Sequence, residues 1–170
     1  AARHLGPEGG VFVYDINRAM IEAGLHKVAD KDIEDRIRYV QGDAENISFP
    51  DRRFDAAMVG FGIRNVTHMK KGFEEMHRVL KPGGKLMCLE FSKPVWPVFR
   101  WLYDFYSFYV MPLLGELIVG SRKAYTHLPE SIRLFPLPAE LSELLQKIGF
   151  SQITYRSLTN GIAVIHLAVK

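Results

Sequence analysis

The sequence predicts an α/β sandwich: a doubly wound, mainly parallel sheet covered by helices on both faces, ending in an antiparallel hairpin. Two observations carry this. Short apolar, β-branched runs alternate with amphipathic stretches in the order strand, helix, strand, strand, helix, strand. That order is the signature of parallel strands joined by right-handed crossovers. Near the end of the chain, two alternating segments flank Thr159-Asn160-Gly161, and Asn-Gly in that setting is a strong hairpin signal.

Val11-Phe12-Val13-Tyr14-Asp15 is the first strand, apolar and closed by an acid. Asn17 to Ala29 has helical spacing, with Asn17 as the cap. Ile37 to Gln41 alternates as a strand and runs into Gly42-Asp43. Phe54 to Phe61 is the next strand. A helix is expected from Thr67 to Leu80, capped by Thr67 and stopped by Lys81-Pro82-Gly83-Gly84. Lys85 to Phe91 returns to strand. Pro94 to Val119 is rich in aromatics, but Arg100, Asp104, Pro112 and Glu116 interrupt it, which argues against a membrane-spanning helix. Pro138 to Ile148 is amphipathic and ends at Gly149. Ile153 to Leu158 and Ile162 to Val169 form the hairpin.

Composition bounds the functional classes. The 170 residues are 48% hydrophobic and 24% charged, as expected of one globular domain over 1–170. A net charge of +3 with no dense Lys/Arg cluster argues against a nucleic-acid partner. The single cysteine, Cys88, excludes an internal disulfide, and no Cys/His spacing points to a metal. A reducing, cytoplasmic location is the expectation.

In an open parallel sheet, ligands bind at the carboxyl ends of the strands. Three strand ends carry informative residues. Asp15 is placed to accept two hydrogen bonds from a ribose diol, or to cap a helix. Asp43, 28 positions on, is placed to accept from an adenine amino group, while the following backbone N–H faces a ring nitrogen. The alternative is a pair of solvated loop acids. Gly60-Phe61-Gly62-Ile63-Arg64-Asn65 ends the third strand, with glycines that let backbone approach a ligand and two donor side chains after them. Arg64 is placed either to serve a ligand or to pair with a neighbouring acid. His68 carries an imidazole, a side chain suited to proton transfer, although a place in the first helical turn also fits a cap.

At these positions the chain resembles a known family. FGIRNVTH (61–68) and HRVLKPGGKLMCLEFSKP (77–94) look like the C-methyltransferases of ubiquinone and menaquinone biosynthesis. So do YDFYSFYVMPLLGELI (103–118), SIRLFP (131–136) and SLTNGIAVIH (157–166). LKPGG is common to many methyltransferases, whereas FGIRN with the aromatic stretch and TNGI is specific. The resemblance implies a class I, Rossmann-like methyltransferase fold, S-adenosylmethionine as methyl donor and a polyprenylated demethylquinol as acceptor. It implies that Asp15 binds the ribose, Asp43 and Ala44 the adenine, and Gly60 the cofactor through its backbone, many members having Ser or Ala there. Arg64 and Asn65 fall at the family's catalytic corner. The aromatic stretch would line the path of the isoprenoid tail and touch the membrane surface.

One part of that pattern is not met: no glycine-rich loop follows the first strand, whose place corresponds to the second strand of the fold. The expectation is therefore a chain truncated at its N-terminus, with weak activity. Either the flanking strands would pair directly or a second copy would complete the sheet as a homodimer. Two other functions stand beside the methyltransferase. A nucleotide-dependent dehydrogenase would share Asp15 but needs a Tyr-x-x-x-Lys pair after the fourth strand, and none is there. A non-catalytic scaffold subunit of a quinone-synthesis complex would share the whole pattern.

Overall fold

The computed structural model describes residues 5–6, 9–26, 35–96, 101–103, 105–106 and 129–170. The chain forms two compact units, Ala1–Phe49 and Pro50–Lys170.

In the first unit, β1 (Val11–Asp15) pairs in parallel with β2 (Ile37–Gln41), Val11 opposite Ile37 and Asp15 opposite Gln41. Between them, α1 (Arg18–Leu25) is capped by the Asn17 side chain, which accepts from the Ala19 N–H at 3.0 Å. That is the cap expected from sequence. Ile21 is the buried apolar side chain of this unit among the described residues. Phe49 packs its ring edge-on against Phe12, centroids 5.0 Å apart.

The second unit holds a four-stranded sheet in the order β3-β4-β6-β5. β3 (Phe54–Gly60) runs parallel to β4 (Leu80–Phe91). The predicted hairpin of β5 (Ser151–Leu158) and β6 (Ala163–Val169) adds to β4 antiparallel. α2 (Met69–Val79) and α3 (Pro138–Ile148) pack on each other and on the sheet. Phe73, Val79, Leu141 and Leu145 from the helices and Leu86, Cys88, Val164 and Ala168 from the sheet are buried there. Burying them is the main driving force for this unit.

Several element boundaries depart from expectation. α1 ends at Leu25 rather than Ala29, and β5 begins at Ser151 rather than Ile153. α2 is capped by His68, not Thr67. It ends at Val79, and β4 already starts at Leu80, because Pro82 forbids the turn that a longer helix would need. The last helical carbonyls are satisfied from outside the helix: Arg53 N–H donates to Val79 O, and Lys170 Nζ to His77 O. Phe61 leaves the strand with a left-handed φ of 55°. The hairpin turn is left-handed at three successive residues, Thr159, Asn160 and Gly161, so Ile162 belongs to the turn.

Among the described residues β1 has one strand neighbour, β2, and β3 has one, β4.

Candidate active site

In the first unit, the two acids lie at the carboxyl ends of neighbouring parallel strands, and the Gly42 N–H donates to the Asp15 carbonyl at 3.0 Å. Asp15 is half-buried and Asp43 exposed. Each folds one carboxylate oxygen onto its own turn. Asp15 Oδ1 accepts from the Asn17 N–H and Asp43 Oδ1 from the Glu45 N–H, both at 2.8 Å. These are Asx turns, and they orient each carboxylate while leaving its other oxygen as an acceptor. Ala44 is half-buried in the turn that follows Asp43.

Tyr14 fixes the loop after β2. Its hydroxyl accepts from the Ser48 N–H at 3.1 Å. A Cβ at position 42 would overlap that hydroxyl, so only glycine lets the loop pass. The residue before Asp43 is therefore set by packing.

In the second unit, Gly60 ends β3 in the open, with nothing near where a Cβ would stand. A larger residue fits there, consistent with the Ser or Ala expected in relatives. The chain then turns sharply. The Phe61 N–H donates to the Leu89 carbonyl at 2.9 Å, Ile63 is buried, and Ile63–Asn65 form a single 3₁₀ turn. This turn directs Arg64 back into the protein and leaves Asn65 exposed. His68 is exposed at the start of α2.

Arg64 is held on three sides. Its Nη1 donates to Glu90 Oε1 at 2.5 Å and to the Phe61 carbonyl at 2.7 Å. Its guanidinium lies over the Phe91 ring, 5.3 Å from the centroid, and Phe91 packs on Phe61. The arginine side chain is 9% exposed and that of Glu90 2%. Arg64 Nε is buried with no hydrogen-bond acceptor. Sequence reasoning named Arg64 and Asn65 but passed over Glu90. The signal was present: an acid inside the apolar run Leu86 to Phe91 has to be paired.

The long aromatic stretch falls mostly outside the described residues. Of its described members, Trp96, Trp101, Phe105 and Tyr106 are exposed. No helix among the described residues is long and apolar enough to cross a membrane.

A profile of the ubiE/COQ5 methyltransferase family matches residues 1–170. The chain belongs to that family. Among its curated relatives, the rat mitochondrial 2-methoxy-6-polyprenyl-1,4-benzoquinol methylase is 48% identical over 166 residues, covering 96% of this chain and 51% of that protein. The ubiquinone/menaquinone biosynthesis C-methyltransferase UbiE of Stutzerimonas stutzeri is 43% identical, covering 99% of this chain and 66% of that protein. This ubiE/COQ5 chain thus spans between half and two thirds of the length of these relatives. The fold is shared more widely. A SAM-dependent methyltransferase from Aquifex aeolicus superposes with a TM-score of 0.66 at 18% identity, covering 99% of this chain and 72% of that one. The CurJ carbon methyltransferase superposes at 0.69 and 17% identity, covering 99% and 43%. The architecture is the class I methyltransferase fold that the sequence predicted.

Proposed function

We propose that this ubiE/COQ5 protein is an S-adenosylmethionine-dependent C-methyltransferase acting on a polyprenylated demethylquinol of ubiquinone or menaquinone biosynthesis. The observation that carries the reading is the buried, oriented Arg64 at the end of β3, in a chain whose relatives are named as a polyprenyl-benzoquinol methylase and a ubiquinone/menaquinone biosynthesis C-methyltransferase.

The first unit supplies acceptors suited to a nucleoside. The outer carboxylate oxygen of Asp15 matches a ribose diol and that of Asp43 an adenine amino group, with the Ala44 backbone beside it. S-adenosylmethionine, held there, supplies an electrophilic methyl group.

The acceptor carbon is a weak nucleophile in a phenol and a much stronger one in a phenolate. A guanidinium is a donor and not an acceptor, so Arg64 is not the base; it stabilises negative charge developing on the quinol oxygen. Its partners hold the guanidinium in place before the reaction, so little reorganisation is needed. Asn65 orients the quinol oxygen from the exposed side of the same turn. His68, exposed at the start of α2, carries the ring proton away, directly or through water. The exposed aromatics at 96–106 support contact with the isoprenoid tail and the membrane surface.

Methyl transfer from labelled S-adenosylmethionine to short-chain demethylated benzoquinol and naphthoquinol tests the reading. Arg64→Ala is expected to abolish transfer while leaving S-adenosylmethionine binding nearly intact. Equal loss of both would make Arg64 structural. Normal quinone synthesis supported by a transfer-dead protein would favour a scaffold instead.

A further inference from the structure

We propose that Glu90 is the positioning residue for Arg64, an inference that rests on the methyl-transfer reading above. Glu90 stands next to last in β4, is 2% exposed, and directs every bond of its carboxylate to this one corner. Oε1 accepts from Arg64 Nη1 at 2.5 Å and from the Phe91 N–H at 2.9 Å, while Oε2 lies 3.4 Å from the Arg64 backbone N. A single carboxylate therefore holds both the guanidinium of Arg64 and the turn that carries it, along with the strand residue whose ring lies under that guanidinium.

A buried ion pair commonly adds little over an apolar pair of the same volume, because desolvation offsets the attraction. What the pair does provide is orientation. Arg64 has several rotatable bonds, and a donor that must meet a developing oxyanion loses most of its effect if it is displaced by about 1 Å. Pairing also makes the corner formally neutral, so Arg64 acts on the quinol through directed N–H groups rather than as a net cation. Glu90 itself touches neither substrate nor cofactor in this scheme.

The test is a mutant cycle in the whole natural protein, using a short-chain demethylated naphthoquinol. Glu90→Gln keeps the shape and removes the charge; Glu90→Asp keeps the charge and shortens the reach. Both are expected to lower kcat by about tenfold to a hundredfold while the KM for S-adenosylmethionine stays unchanged. The double variant Arg64→Ala/Glu90→Gln is expected to be no slower than Arg64→Ala alone, since Glu90 acts only through Arg64. Losses that multiply, or a wild-type kcat in both Glu90 variants, overturn the proposal. Wild-type turnover in Arg64→Ala overturns the role of Arg64 and this proposal with it. If the natural protein transfers no methyl group, the function itself is wrong, and the pairing is still read by guanidinium ¹⁵N NMR. Rotation of the Arg64 guanidinium is expected to quicken in Glu90→Gln, and unchanged rotation would overturn the positioning role.

Discussion

Cys88 lies inside β4 with no exposed surface, and burial pushes its thiol up to about 12. A thiolate-seeking reagent at pH 8 is therefore expected to leave the folded protein unlabelled and to label it fully in denaturant. Labelling of the native protein at the rate of a free thiol would contradict the placement of β4. His166 shows the same effect with the opposite sign. It is buried in β6, its ring nitrogen Nε2 lies 3.0 Å from the Pro138 carbonyl, and desolvation lowers its pKa. His77 is lowered in the same direction, again by burial first. The unfolded chain takes up these protons near the ordinary histidine value of about 6.5, whereas the folded chain resists them to lower pH. Their contribution to stability is thus complete above about pH 6.5 and declines as the pH falls below it. Thermal unfolding followed between pH 7.5 and 5.5 should show a falling midpoint, and a smaller fall in His166→Gln. At this scale Arg64 was legible as a candidate because it follows two glycines at a strand end. That Glu90 needs a partner was legible too, but not that the partner is Arg64, since the two lie 26 positions apart and are brought together only by the pairing of β3 with β4.

α3 illustrates what an element carries. Pro138 opens it, Glu140 accepts from the Leu137 N–H at 2.7 Å, and Gly149 closes it with a left-handed φ of 116°. These are local signals, and the helix was predicted to the residue. Its stabilising contribution is not local. Leu141 and Leu145 are fully buried. Leu145→Ala is expected to cost about 2–5 kcal/mol, measured by chemical denaturation of the 170-residue chain. A cost under about 1 kcal/mol would mean that the helix face is not packed as described. The hairpin was equally legible, through Asn160-Gly161. Its turn geometry was not, because the left-handed conformation of Thr159 is disfavoured for a β-branched residue. It is held from outside the turn, where the Val95 N–H donates to the Asn160 carbonyl.

On the scale of the whole chain, the two units are unequally built. Except for Ile21, every buried apolar side chain described belongs to the second unit. A two-stranded parallel sheet with one short helix has little core of its own. Amides of β1 and β2 are expected to exchange with solvent orders of magnitude faster than those of β4 and β6, each of which is paired on both edges. Because Asp15 and Asp43 sit in the thinner unit, calorimetric titration of these 170 residues should give an affinity for S-adenosylmethionine weaker than micromolar. A micromolar value would show that the first unit is firm enough alone. The sequence by itself determined the order of the strands, the Asn17 cap, the limits of α3, the family and the positions of Asp15, Asp43 and Arg64, because these depend on periodicity and on short motifs. The tertiary structure decided what Arg64 touches and where the apolar core accumulates. It also decided that β1 and β3 each keep a single strand partner among the described residues. Each of these depends on contacts between residues far apart in the chain, which no local pattern encodes.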